Sequence, residues 1–262
     1  MITVGVDIGS ITAKAAIIKD ESIAATKVIL TGYNAQTAGT QVLEAVLADA
    51  GIDSSQVDCM IATGYGRHRV TFADKAVTEI TCHAAGAHFL DHDVRSIIDI
   101  GGQDSKVIVI NENGKVIDFA MNDKCAAGTG RFLEVMARAL EVDLDEFGHM
   151  SLKADNTAAI SSLCTVFAES EVISLISKGE NRPNIIASIH ESIASRVVAM
   201  GNRIGLREPV MMTGGVAKNI GVVRALEKKI NTTIKVSKNA QVTGAIGAGL
   251  IAATQKGKGG EE

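Results

Sequence analysis

The chain is poor in aromatic residues and carries no excess of basic ones. Its 262 residues include no tryptophan and only two tyrosines, and the formal net charge is −4. Stacking on bases requires exposed aromatic rings, and affinity for nucleic acid requires clustered Lys and Arg. The composition supplies neither, so a nucleic acid is a poor candidate as a partner.

Long apolar runs are absent as well. The sequence holds no uninterrupted apolar stretch of about 18 residues, which predicts no membrane span. The N-terminus runs directly into a strand pattern without a basic-then-apolar leader, so we predict a cytoplasmic protein. Hydrophobic residues at 46% and charged residues at 21% are typical of a globular protein, and the length suggests two domains.

The four cysteines form no Cys-x-x-Cys pair. Structural disulfides are not expected without export, so each cysteine is predicted to be buried, catalytic or metal-binding. Cys59 lies in an apolar strand pattern and Cys82 in a helix of small residues, and both are predicted to serve packing. By chemistry alone Cys125 and Cys164 favour the same interpretation, because a lone cysteine is usually a small buried hydrophobe.

An eight-residue pattern occurs twice in the chain. Residues 7–14 read Asp-Ile-Gly-Ser-Ile-Thr-Ala-Lys, and residues 99–106 read Asp-Ile-Gly-Gly-Gln-Asp-Ser-Lys. Short β-prone runs flank both copies, and a polar turn follows each. A repeat of this length predicts two similar halves. One Asp-Ile-Gly turn is weak evidence for phosphate binding, but two copies with a Lys at the same offset favour it.

The residue types in this repeat suit a metal-bound polyphosphate. Glycines let backbone N–H groups approach phosphate oxygens, and hydroxyl and amide side chains add neutral donors. The predicted binding residues are Gly9, Ser10, Thr12, Ala13, Lys14, Gly101, Gly102 and Gln103. Lys106 is instead predicted to be a solvent-exposed strand residue, which is also the alternative for Lys14.

The carboxylates of the repeat are the predicted catalytic residues, namely Asp7, Asp99 and Asp104. One of them is expected to orient the attacking water. Asp7 and Asp104 are expected to hold Mg²⁺ through its water shell, because Mg²⁺ gives up water reluctantly.

Hydrophobic periodicity predicts strand hairpins that alternate with helices, which makes this an α/β protein. The predicted strands are 2–8, 15–19, 24–31, 56–62, 95–100, 106–111, 115–121, 209–212 and 233–236. The predicted helices are 38–50, 79–90, 127–140, 167–178, 184–204, 217–229 and a last one from residue 244. We expect a first domain at 1–94 completed by a C-terminal helix at 244–255, a second domain at 95–243 and a flexible tail at 256–262, with a nucleotide in the cleft between the two halves.

A Thr-Gly-Gly turn follows a predicted strand and precedes a helix. Beside two phosphate turns, Gly214 and Gly215 favour an adenosine-binding turn, although a plain strand-to-helix turn is the alternative. Gln241, just before the last glycine-rich helix, is predicted to hydrogen-bond the nucleoside.

Together these turns and the Gly-Ala-Ile-Gly-Ala helix resemble the actin, hexokinase and Hsp70 class of ATPases. The resemblance implies two ribonuclease-H-like domains around an ATP cleft. That class carries many functions, so the fold alone does not give the activity.

Two cysteine motifs resemble one family of that class more narrowly. Residues 122–132 (Asn-Asp-Lys-Cys-Ala-Ala-Gly-Thr-Gly-Arg-Phe) and 161–171 (Ser-Ser-Leu-Cys-Thr-Val-Phe-Ala-Glu-Ser-Glu) are similar to signatures of the 2-hydroxyacyl-CoA dehydratase activators. These activators, also called component A or archerases, belong with the BadF/BadG/BcrA/BcrD-type ATPases. The similarity extends from Val4 to about Ala252.

The resemblance implies an ATPase that delivers single electrons. It implies a homodimer that shares one [4Fe-4S] cluster through Cys125 and Cys164 of each copy, and that binds ATP or ADP with Mg²⁺. A ferredoxin or flavodoxin would donate the electron, and a dehydratase component would accept it. Such a protein is expected to be oxygen-sensitive and to serve anaerobic fermentation.

Two other classes fit the same fold. A small-molecule kinase would transfer phosphate to a metabolite, but the chain lacks an obvious extra substrate domain. A nucleotide-dependent scaffold or binding protein would need polymerising or peptide-binding surfaces, for which the sequence gives no signal.

Overall fold

The computed structural model describes residues 1–157, 160 and 165–258. The chain forms two units, each built on a five-stranded sheet. The first unit contains Met1–Arg95, Ile110–Ile117 and the C-terminal segment from Ser237, and the second contains Ser96–Val109 and Asp118–Val236.

The first sheet has the strand order β3-β2-β1-β4-β5. Its strands are β1 (Ile2–Ile8), β2 (Thr12–Lys19), β3 (Ser22–Leu30), β4 (Cys59–Thr63) and β5 (Lys75–Ala76). β1 and β2 form an antiparallel hairpin, while β4 lies parallel to β1 on its other side. β1 is buried along most of its length, and for this reason its sequence is almost continuously apolar.

Three helices cover this sheet: α1 (Ala35–Ala50), α2 (Glu79–Leu90) and α8 (Thr243–Lys258). Asn34 caps α1 by accepting hydrogen bonds from two backbone N–H groups of its first turn, and Gly51 ends it in the left-handed conformation. α1 buries its apolar face against β2 and β3.

The last helix, α8, lies unusually close to the first strand. A side chain on Gly5 would overlap the backbone of Ala245 and Gly249. A side chain on Gly247 would likewise overlap the Cys82 carbonyl of α2. The glycine-rich sequence of α8 therefore permits backbone-to-backbone packing that any Cβ would prevent.

The second sheet repeats the plan with the order β10-β9-β6-β7-β8. Its strands are β6 (Ser96–Ile100), β7 (Ser105–Ile110), β8 (Val116–Asn122), β9 (Val210–Thr213) and β10 (Ile234–Val236). β6 pairs antiparallel with β7 and parallel with β9, as β1 does with β2 and β4.

The helices of the second unit follow β8 in the chain. They are α3 (Gly130–Ala139), α4 (Leu144–Ser151), α5 (Thr165–Ser177), α6 (Arg182–Arg203) and α7 (Ile220–Ile230). α4, α6 and α7 pack on one another, with His190 edge-on against Phe147 at 5.5 Å between ring centroids. Burial lowers the pKa of His190 to about 3, so the ring is neutral at physiological pH.

The element pattern matches the sequence-based prediction with instructive differences. α3 starts at Gly130 instead of 127, because Gly128 adopts a φ of +97° that a helix cannot contain. The strand expected over 56–62 begins at Cys59, since Asp53 and Gln56 form a capping box around a short 3-10 turn. The helix expected over 217–229 is divided into a 3-10 turn and α7.

Two elements were not predicted, the short helix α4 and the two-residue strand β5. α8 continues to Lys258, and the last four residues of the predicted tail lie outside the described residues. Across the part of the chain that the structure describes, we find no helix with the length and apolarity needed to cross a membrane.

Candidate functional site

The first copy of the repeat forms a tight hairpin that joins an acid to a base. Asp7 and Lys14 are direct cross-strand partners, and Lys14 Nζ lies 3.1 Å from Asp7 Oδ2. The Gly9 N–H donates to the Thr12 carbonyl across the turn, and the Thr31 hydroxyl donates to the Gly9 carbonyl at 2.8 Å. The Lys14 side chain keeps 13% exposure and that of Asp7 keeps 7%, so the ion pair is largely buried.

The second copy has the same backbone but a more enclosed charge. Lys106 Nζ lies 3.3 Å from Asp99 Oδ2 and 2.8 Å from Asp104 Oδ2, and the lysine side chain is only 2% exposed. The Thr213 hydroxyl donates to Asp99 Oδ1 at 2.9 Å. The prediction that Lys106 is a solvent-exposed strand residue is therefore wrong: two carboxylates compensate its charge inside the second unit.

Each hairpin lies against a Thr-Gly pair on the neighbouring parallel strand. Thr63 is in register with Asp7, and Thr213 with Asp99. The glycines that follow adopt φ of +88° at Gly64 and +85° at Gly214. A Cβ on Gly64 would overlap Asp7 Oδ1, and one on Gly214 would lie 2.8 Å from Asp99 Oδ1.

Only the second of these Thr-Gly pairs was predicted to bind a ligand. Gly214 and Gly215 were assigned to adenosine binding, and Gly64 had no predicted role. The signal was present in the sequence, because an apolar strand runs into Thr-Gly in both halves. The repeat therefore extends beyond the eight-residue motif.

A further group near Asp7 was also missed. A Cβ on Gly244, at the start of α8, would lie 2.8 Å from His83 Nε2 and 3.2 Å from Asp7 Oδ2. His83 is 5% exposed and sits on α2. The glycine therefore brings an imidazole and a carboxylate close together in the first unit.

The N-terminus of α3 is hydrogen-bonded directly to the second Asp-Ile-Gly turn. The Gly130 N–H donates to the Gly101 carbonyl, and the Arg131 N–H donates to the Gly102 carbonyl, both at 2.9 Å. A Cβ on Gly130 would lie 3.2 Å from the Gly101 oxygen. These contacts join the turn to the first residues of α3.

Cys125 lies in that preceding segment, five residues before α3. Its carbonyl accepts a hydrogen bond from the Asn122 side chain at 2.9 Å, and the Thr129 hydroxyl donates to the Ala126 carbonyl at 2.6 Å. Cys125 is half-buried beside a cavity of about 320 Å³, called here the Cys125 cavity. The cavity is lined by Ser105, Met121, Asn122, Cys125, Arg196, Ala199, Met200 and Arg203.

The remaining cysteines divide clearly. Cys59 and Cys82 are buried, which confirms their predicted packing role. Burial raises the pKa of the Cys82 thiol to about 12 and also raises the pKa of Cys59, so neither is a reactive thiolate. The predicted ligand Cys164 lies outside the described residues, in the chain just before α5.

The other predicted binding residues are spread over both units. Thr12 and Ala13 begin β2, where the Ala13 side chain is fully buried and leaves only its backbone for contact. Gln103 is exposed in the second turn. Gln241 lies in the first unit and the Thr-Gly-Gly turn in the second, so no single unit brings them together.

No cluster of three or more His, Cys, Asp or Glu side chains that could hold a metal ion occurs within residues 1–157, 160 and 165–258. The carboxylates at the two turns are instead distributed, with Asp7 in one unit and Asp104 in the other. Such single carboxylates can accept hydrogen bonds from the waters around Mg²⁺.

Residues 4–252 match the model of the BadF/BadG/BcrA/BcrD ATPase family. The chain is 48% identical over 252 residues to the (R)-2-hydroxyglutaryl-CoA dehydratase activating ATPase of Acidaminococcus fermentans, which covers 95% of this chain and 96% of that protein.

Solved structures give the same result. The activator of the 2-hydroxyisocaproyl-CoA dehydratase from Clostridium difficile with bound ADPNP superposes with a TM-score of 0.94 at 46% identity, covering 100% of this chain and 97% of that one. A ROK family glucokinase from Streptomyces griseus shares the fold alone, with a TM-score of 0.57 at 16% identity and coverage of 97% of this chain and 100% of that one. The predicted actin/hexokinase-type α/β fold is confirmed.

Proposed function

Because the chain belongs to the BadF/BadG/BcrA/BcrD ATPase family, we propose that it is an ATP-dependent one-electron donor that activates a 2-hydroxyacyl-CoA dehydratase. The similar proteins are named for two different acyl groups, hydroxyglutaryl and hydroxyisocaproyl. The proposal therefore concerns this class of acyl-CoA and not one member of it. A ferredoxin or flavodoxin supplies the electron, and the dehydratase component accepts it in an oxygen-free cytoplasm.

The observation that carries the proposal is the bond between the second phosphate turn and α3. The carbonyls of Gly101 and Gly102 accept from the first N–H groups of α3, and Cys125 lies five residues before that helix. A nucleotide that favours one arrangement of this turn also favours one arrangement of the cysteine segment. ATP influences electron transfer only through such a difference in affinity between two states.

Nucleotide binding is assigned to both Asp-Ile-Gly turns. Backbone N–H groups near Gly9 and Gly101 approach the phosphates, and the Lys14 ammonium adds a positive charge. Asp7 and Asp104 accept hydrogen bonds from waters on a phosphate-bound Mg²⁺. We assign the attacking water to Asp7, because its side chain pairs with Lys14, whereas Asp99 contacts both Lys106 and Thr213.

Cys125 is suited to ligate an iron–sulfur cluster. Among the three described cysteines it alone is not buried, and it borders a cavity. Ala126, Ala127 and Gly128 beside it are small enough to leave room for a second chain. When bound, a [4Fe-4S] cluster takes up and releases one electron at low potential. It requires four thiolates, which two copies provide if each contributes Cys125 and Cys164.

The decisive experiment compares Cys125→Ala with the matched control Cys59→Ala. Both proteins are purified without oxygen, and iron, sulfide, native mass and ATP affinity are measured. We expect the wild type and the control to be brown dimers with about four irons each. Cys125→Ala should lose the iron and the electron delivery, yet bind ATP with nearly unchanged affinity, because the phosphate turns are intact.

Three outcomes would contradict the proposal. The wild type could be metal-free, it could be strictly monomeric, or Cys125→Ala could retain full activity. A colourless wild type that phosphorylates a metabolite would identify a kinase of the same fold.

A further inference from the structure

Two arginines line the Cys125 cavity although the chain as a whole is acidic. They are Arg196 and Arg203, and no Asp or Glu belongs to the lining, while the net charge of the chain is −4. The remaining polar lining groups are a thiol, a hydroxyl and an amide, all of them neutral donors or acceptors. Such a cavity favours negative charge placed within it.

The two arginines belong to one face of α6. They are seven residues apart, which is about two helical turns, and Ala199 and Met200 occupy the same face between them. The opposite wall is formed by Ser105 at the start of β7 and by the end of β8. Cys125 therefore borders the same open cavity as two arginines.

The Arg196 side chain also lies over the turn that carries Cys125. Its Cδ is 3.5 Å from the position that a Cβ on Gly128 would take. Gly128 has a φ of +97°, a conformation that closes the turn between Cys125 and α3. The stem of Arg196 therefore packs on this turn, and the residue lines the same cavity as Cys125.

We propose that Arg196 and Arg203 are positioning residues that raise the reduction potential of the cluster held by Cys125, an inference that rests on the proposed function. Reduction adds one electron without forming a bond or taking up a proton at these residues. The added negative charge is stabilised by the two guanidinium groups, so the reduced state gains more than the oxidised state.

The arrangement also makes the potential sensitive to the nucleotide. Cys125 precedes α3, which is bonded to the Gly101–Gly102 turn, whereas the arginines belong to α6. A movement of the turn that carries Cys125 away from α6 lowers the potential after the electron has been loaded. The protein then becomes a stronger one-electron reductant without a change of ligand.

The test measures the midpoint potential in anaerobic, iron-loaded protein, by titration with Ti(III) citrate followed by EPR. Arg196→Gln and Arg203→Gln should each lower the reduced-to-oxidised ratio at a fixed potential about tenfold, which corresponds to a shift of about 59 mV to more negative values. Arg196→Lys should restore most of the wild-type potential because it keeps the charge.

Arg182→Gln is the matched control. It removes the same charge from the same helix, but Arg182 lies about 21 Å from Arg196 along the axis of α6 and is screened by salt. Its potential should equal that of the wild type.

The outcomes separate the two proposals. If the wild type carries iron but Arg203→Gln, an exposed position whose change leaves the fold intact, has the potential of Arg182→Gln, the arginine proposal is wrong and the proposed function stands. If the wild type carries no iron, the proposed function itself fails.

Discussion

The two Asp-Ile-Gly hairpins share their backbone and differ in how they enclose their charge. In both, an aspartate on the first strand is paired in register with a lysine on the second. In the first unit Lys14 contacts Asp7 and keeps 13% exposure, whereas in the second Lys106 contacts both Asp99 and Asp104 and keeps 2%. The position that holds Thr12 in one copy holds Asp104 in the other.

This difference shows that two copies of a repeat can keep the same backbone geometry and yet differ in the chemistry that they support. The first hairpin leaves its ion pair slightly more exposed than the second does, which suits contact with phosphate and water. The second uses its lysine to neutralise two acids and connects its turn to α3. One hairpin is therefore the better candidate for hydrolysis and the other for transmitting the state of the nucleotide.

The largest expected effect comes from removing the two lysines in turn. Lys106→Met leaves Asp99 buried without its cation and should lower the free energy of unfolding by about 3–5 kcal/mol. Lys14→Met should cost about 1–3 kcal/mol, because Lys14 contacts a single carboxylate and is more exposed than Lys106. Urea unfolding measures both. Equal losses would show that the two hairpins are enclosed to the same degree.

A smaller effect tests whether the backbones are truly equivalent. Gly64→Ala and Gly214→Ala each force a side chain into a positive φ and against a carbonyl of the adjacent hairpin. Each should lower stability by about 2–3 kcal/mol, and the two losses should agree within about 0.5 kcal/mol.

Gly51→Ala is the control for this pair. Gly51 has a φ of +64° but open space around its Cβ position. Gly51→Ala should lower the free energy of unfolding only by the backbone cost of about 1 kcal/mol. Losses at Gly64 or Gly214 no larger than this would contradict the close approach described here.

The smallest effect concerns the threonines beside the two aspartates. Thr213→Val removes a hydrogen bond to Asp99 and should cost about 1–2 kcal/mol. Thr63→Val should cost less than this, because the buried Thr63 hydroxyl makes no hydrogen bond to Asp7 and only approaches the Cys82 thiol. Thermal unfolding of the two variants side by side checks this. A larger loss of stability for Thr63→Val than for Thr213→Val would contradict the conclusion that the second hairpin is the more enclosed one.

Local features made much of this molecule predictable. The Asp-Ile-Gly repeat and the β-prone runs around it are contained in short segments, so the hairpins and the fold class followed from sequence. The burial of Lys106 did not, since it depends on a β7 that is covered along its whole length and on a second carboxylate in the turn. α4 was missed because it is only eight residues long and contains Gly148, and glycine is a poor helix former. Gly148 instead favours close packing, with the Asn219 side chain nearby.

The sequence predicted which residue types belong to the site better than it predicted the hydrogen bonds that connect its segments. The alanines after Cys125 suggested a helix from residue 127, but Gly128 with its positive φ delays the helix to Gly130. That delay allows the Gly130 and Arg131 N–H groups to bond the turn at Gly101 and Gly102. No local pattern reports a contact between segments so far apart in the chain.

The close packing of α8 on β1 determines when the first unit can finish folding. β1 leaves the ribosome well before α8, yet the backbone of Ala245 and Gly249 occupies the space that Gly5 leaves open. One face of β1 therefore stays uncovered until α8 has been synthesised. A chain truncated before residue 243 lacks α8, so one face of β1 stays uncovered.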